Sequence, residues 1–60
     1  MKKFVVEIEM ENAAFDEGDL TTELARILKE VVQLVNNGYT MRNLRDINGN
    51  RVGHFEIKEG

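Results

Sequence analysis

Few side chains in this chain could do chemistry, and their types narrow the choice. There is one histidine, His54, and neither cysteine nor serine, so no thiolate or serine nucleophile can be set beside it. Hydroxyls come only from Thr21, Thr22, Thr40 and Tyr39. Asp16, Glu17 and Asp19 are close enough in sequence to hold a divalent cation weakly. They lack the alternating acids, central glycine and later glutamate of a calcium loop. His54 with Glu7 or Glu56 offers two or three ligands at most, an unspecific set. Gly49 and Gly53 fall within a hairpin pattern and do not open a helix, so no phosphate loop is present. The expectation is a protein that is not an enzyme, with no catalytic residue, cofactor or metal.

The elements that must position any remaining site follow from periodicity. In a strand placed at 3–10, Phe4, Val6, Ile8 and Met10 alternate with Val5, Glu7, Glu9 and, just past its end, Glu11, which gives it one buried side. The stretch from Asn12 to Gly18 has no period and reads as a loop, with Phe15 plugging the core. Asp19 is a suitable N-cap for a helix over 20–37. Leu20, Leu24, Ile27, Leu28, Val31, Leu34 and Val35 make its apolar stripe, Arg26 and Glu30 can pair, and Gly38 stops it. Residues 43–58 read as a hairpin about Asn48-Gly49. A two-residue type I′ turn there would set Asp46 opposite Arg51, Arg45 opposite Val52 and Leu44 opposite Gly53. Leu44, Phe55 and Ile57 would then meet the helix, with Gly53 making room for it, and Asp46 would pair with Arg51 at the tip.

These elements assemble into one α+β domain over 1–60, a two-layer β-α-β-β fold. One helix covers one face of a three-stranded sheet. The last strand is the more apolar of the hairpin, which favours it as the central one in the order 1-3-2, with 3-2-1 open. The other sheet face would carry Val5, Glu7, Glu9, Arg45, Ile47, Val52, His54 and Glu56. Val5, Ile47, Val52 and the His54 ring are more apolar than a solvated face requires, although β-branched residues also favour strands for their own sake. This face is one candidate contact surface, for a second copy of the chain or for another protein.

Charge is uneven as well. From Phe4 to Ala25 the acids Glu7, Glu9, Glu11, Asp16, Glu17, Asp19 and Glu23 occur without a basic residue. Acids at a helix start are favourable against its dipole. Asp16, Glu17, Asp19 and Glu23 are also a second candidate contact, an acidic prong for a basic groove. Arg42, Arg45 and Arg51 with Tyr39 could touch a phosphate backbone. A net charge of −3 and the lack of a basic helix or stacking platform weigh against nucleic acid as the partner.

Sixty residues, 42% hydrophobic and 32% charged, suit one small globular domain rather than a disordered tail. With no disulfide or metal to staple it, such a domain often gains stability as a dimer. Glu7, Glu9 and Glu11 interrupt the apolar start too early for a signal peptide, and no apolar run approaches a membrane span. A cytoplasmic protein is expected.

Three segments also carry a resemblance: Asn12-Ala13-Ala14-Phe15, Glu23-Leu24-Ala25-Arg26-Ile27-Leu28, and Leu44-Arg45-Asp46-Ile47-Asn48-Gly49-Asn50-Arg51-Val52-Gly53. Together they resemble a family of very small uncharacterised proteins of bacteriophages, prophages and other mobile elements. The resemblance covers most of the chain but brings no functional residues with it. It implies genomic company, and so a bacterial host cell. Short acidic proteins of such elements are often inhibitors of host defence, anti-CRISPR proteins among them, that bind and block a host protein such as a defence nuclease complex. They also include transcriptional accessories and proteins of no known role.

Overall fold

The computed structural model describes residues 1–15 and 20–60. Strand β1 spans Lys2–Ile8, helix α1 spans Leu20–Asn36, and strands β2 and β3 span Met41–Arg45 and Arg51–Glu59. The sheet order is β1-β3-β2, both pairings antiparallel. The fold is therefore the α+β, β-α-β-β arrangement expected, with the more apolar hairpin strand in the centre. The molecule measures 39 × 21 × 17 Å.

Ala13–Phe15 form a single 3-10 turn that drives Phe15 into the core, with its amide donating to Asn12 O at 2.9 Å. The core comprises Phe15, Ile27, Val31, Leu44, Val52 and Phe55. Each such side chain contributes about 1.5–3 kcal/mol by leaving water. Helix α1 closes as the sequence implies: Tyr39 N donates to Leu34 O and Gly38 N to Val35 O, a Schellman motif around Gly38. The N-cap placed at Asp19 lies outside the described residues.

The hairpin departs from its expected turn. Gly49 N donates to Asp46 O at 3.0 Å and Asp46 N to Asn50 O at 2.8 Å, so the loop holds three residues, Ile47, Asn48 and Gly49. Gly49 takes the positive φ, +86°, that this turn needs. The pairing then slips: Leu44 still faces Gly53, but Arg45 faces Arg51, leaving Val52 as an extra residue in a β-bulge. Two expected faces are reversed as a result. Val52 turns inward and is 3% exposed, whereas Arg51 turns outward, its Nε donating to Asn43 Oδ1 at 3.0 Å. Arg51 makes no ion pair with Asp46.

Gly53 is needed for a different reason from the one expected. A Cβ there would collide with the backbone carbonyl of Glu7 and crowd Ile8, its cross-strand partner, and no helix atom is among its nearest neighbours. The bare position lets β1 approach the central strand. Ile57, expected under the helix, remains 44% exposed. Substitution Gly53→Ala is expected to cost about 3 kcal/mol, the upper end of overpacking penalties, because the obstructing atoms are backbone. Urea denaturation measures it, and a loss below half that value would show that β1 can yield.

Candidate functional site

Helix α1 carries Glu23, Ile27 and Val31 on one line at four-residue spacing, and all three are buried. Glu23 occupies the end of that line nearest the hairpin tip and is 5% exposed. Its Oε1 accepts from Arg26 Nε at 2.6 Å, and its Oε2 accepts from the Ile47 amide at 2.7 Å. Arg26 reaches onward, donating through Nη2 to Arg45 O at 3.1 Å. The expected Arg26–Glu30 pair is present but longer, at 3.7 Å.

Asp46 is the second anchor, 4% exposed. Its Oδ1 accepts from the amides of Asn48 and Asn50, both at 2.9 Å. Its Oδ2 accepts from Asn12 Nδ2 at 3.0 Å and from Asn50 Nδ2 at 3.4 Å. One carboxylate thus shapes the turn from within as an Asx turn and fastens it to the segment after β1. Among the described residues every buried side-chain nitrogen and oxygen has a partner.

The electrostatics follow from these partners. The hydrogen bond from Arg26 is the largest influence on the Glu23 carboxyl and holds its pKa below the ordinary value, against the opposing effect of burial. The same contact raises Arg26. For Asp46 the Asn12 amide is the main cause of a lowered pKa, again against burial, with Asn50 and Asn48 adding to it. Glu23 therefore belongs to this lock, and its carboxylate is not available to an acidic prong. Asp16, Glu17 and Asp19, the rest of that prong, lie outside the described residues.

The structure places the expected contact face differently. Val5, His54 and Arg45 lie on the sheet face away from the helix, but Val52 is in the core and Ile47 sits on the hairpin tip. The physical reasons are the bulge, which swaps the faces of Val52 and Arg51 on β3, and the three-residue turn, which takes Ile47 into the loop. The outer face is consequently more polar than expected. His54 Nε2 lies 2.8 Å from Glu56 Oε2, Glu7 and Asn43 flank His54 across the strands, and Arg45 opposes Arg51. The two arginines avoid each other because Arg45 Nη1 donates to Gly49 O at 3.0 Å while Arg51 turns to Asn43. Arg42 leaves this pair and stacks over the Tyr39 ring, 4.7 Å from its centroid.

Among the exposed apolar features of the described residues, two border open troughs beside α1. Ile47 is 70% exposed at the tip and borders a shallow polar trough lined by Thr21, Thr22, Ala25 and Lys29. An open trough of about 550 Å³ lies between the C-terminal half of α1 and β1, lined by Phe4, Val31, Val32 and Val35. The second has no signal in the sequence, where alternation puts Phe4 on the buried side of β1 and periodicity puts Val35 in the apolar stripe of α1. Among the described residues no group of three or more His, Asp or Glu side chains could hold a metal ion, and no helix is long and apolar enough to cross a membrane. Comparison with known proteins finds no matching family model, no similar curated protein and no similar solved structure.

A pH dependence follows from the two lowered carboxyls. Each contributes stability that is fully present above its unfolded-state pKa and is lost as pH falls through the folded value. Stability is expected to be level at neutral pH and to decline as pH drops below about 4.5 for Glu23 and about 3.8 for Asp46. In the double variant Glu23→Gln/Asp46→Asn the acid limb should flatten and neutral stability should fall. Chemical denaturation across pH 2–7 checks this, and an unchanged acid limb would remove the lock from the account.

Proposed function

We propose that this chain is a non-enzymatic protein-binding module of the host cytoplasm, encoded by a phage or other mobile element. Its role is to inhibit a bacterial defence system, in the manner of an anti-CRISPR protein, by steric blockade. The mobile-element and defence part of this reading rests on the sequence resemblance, and the observation that supports the binding role is the hairpin tip. Ile47 projects into solvent while its own amide is held by Glu23 and the turn below it by Asp46. An apolar side chain presented on a pre-ordered backbone loses little entropy on docking, which is how a small surface can gain affinity. Arg45, anchored beside it to Gly49 O, supplies a charged rim.

A second reading, a small regulator that contacts nucleic acid through Arg42, Arg45 and Arg51, draws support from the opposed Arg45 and Arg51. Neither has an acidic partner among the described residues. The net charge of −3 and the diversion of Arg42 onto Tyr39 weigh against it.

The test is expression in bacteria that carry an active nuclease-based defence. The wild-type chain should restore phage plating by orders of magnitude, and Ile47→Asp should abolish the effect with its thermal melt unchanged. Full protection by a folded Ile47→Asp variant would exclude the tip as the contact. Binding to a DNA fragment that weakens steeply with salt, and is lost in Arg45→Glu/Arg51→Glu, would favour the second reading instead.

A further inference from the structure

Strand β1 is an edge strand, and its hydrogen-bond phase can be worked out. Met1 and Gly60 exchange both backbone bonds, at 2.9 and 3.1 Å, and Glu9 N donates to Val52 O at 2.7 Å. In the β1–β3 register, odd residues of β1 therefore bond to β3. Lys2, Phe4, Val6 and Ile8 direct their amides and carbonyls at the outer edge, where no described residue bonds to them. Edge strands that must stay single usually carry a charge at mid-strand, a bulge or a proline. Here the middle is Phe4-Val5-Val6, and the charges stand at the two ends with opposite sign, Lys2 and Lys3 against Glu7.

We propose that β1 pairs antiparallel with β1 of a second copy about a two-fold axis at Val5, joining two three-stranded sheets into one of six strands. Two features agree on this register, the hydrogen-bond phase and the placement of charge. Phe4 falls opposite the partner's Val6 and Lys2 opposite the partner's Ile8, so outward-directed backbone groups meet outward-directed ones along the whole strand. Side chains on the helix side meet others on the helix side, as antiparallel pairing demands. Lys3 falls opposite the partner's Glu7, twice by symmetry, whereas a parallel pairing would set Lys3 against Lys3.

The same axis turns the open trough beside α1 toward its counterpart. Phe4 is 50% exposed and Val32 66% exposed, with Val6 and Val35 also partly in water. All four lie on the side of the sheet that the two helices would share. A second copy brings the matching apolar surface to this side, so edge pairing and burial of the trough reinforce each other. Self-association of this kind holds whatever the hairpin tip binds.

Charge reversal tests both the partner and the register. In the monomer Lys3 faces Lys58 and Glu7 faces His54. Lys3→Glu therefore relieves a like-charge pair within one chain while creating two across the dimer. Sedimentation equilibrium of the wild type should show a dimer. Lys3→Glu and Glu7→Lys should each raise its dissociation constant about tenfold or more. An equimolar mixture of the two variants should regain wild-type affinity. One chain then carries acids at both positions and the other carries bases at both, so each cross-strand pair is again of opposite charge. Circular dichroism confirms that each variant remains folded. A wild-type chain that stays monomeric to about 1 mM, variants that dimerise as the wild type does, or a mixture that fails to regain affinity would each overturn the proposal. None of these results bears on protection against host defence by the tip.

Discussion

The Glu23 carboxylate, shared between Arg26 on its own helix and the Ile47 amide on the hairpin, is the contact on which the arrangement of this domain depends. A sheet of three short strands and one helix has little area with which to fix where the helix sits. Directional hydrogen bonds accepted by a buried carboxylate supply what nonspecific apolar packing cannot, a single position along and around the helix axis. Asp46 does the same for the turn and for the segment after β1. The cost is that both carboxylates leave water, and it is offset because each accepts several hydrogen bonds and each is ionised at neutral pH.

The bulge at Val52 is the second constraint, and it is coupled to the first. A three-residue turn shaped by Asp46 shifts the strands by one residue relative to a two-residue turn, and Val52 absorbs the shift. It then becomes a core residue beside Phe15 and Ile27. Arg51 is turned outward by the same step and faces Arg45, which gives the outer sheet face its polar character. One carboxylate in a turn thus decides which side chains the sheet presents on either face.

Helix placement also decides what is left uncovered. Tied at its first turns to the hairpin tip, α1 leaves the edge at β1 open, and Phe4 meets Phe55 of the core at a ring-centroid separation of 5.8 Å. The half-exposed residues there, Phe4, Val6, Val35 and Ile57, are those that the alternation of β1 and β3 and the stripe of α1 mark as core. They are patterned for burial but not buried within one chain, which is the physical meaning of an incomplete core in a domain of this size.

Much of this was legible in the residues alone. Alternation in β1, the helical stripe and the stop at Gly38 sufficed for the α+β fold, because each is a local pattern with one low-energy reading. The apolar character of β3 favoured the order β1-β3-β2 but left 3-2-1 open, and the structure decided it. The burial of Glu23 also had a signal, its spacing of four from Ile27 and eight from Val31, although an acid near a helix start reads first as a solvated charge. What the sequence could not decide were the turn length at Asp46, the inversion of Val52 and Arg51, and the partner of Gly53. Asn48-Gly49 is compatible with both a two- and a three-residue loop, and the choice rests on hydrogen bonds made with Asn12, which donates to Asp46, and with Glu23, which accepts from Ile47, residues 34 and 24 positions away from their hairpin partners. The absence of cysteine and serine bounded the chemistry from the outset. Which side chains stay exposed was decided only by the tertiary structure, because exposure depends on where the helix is held and not on the pattern within any one element.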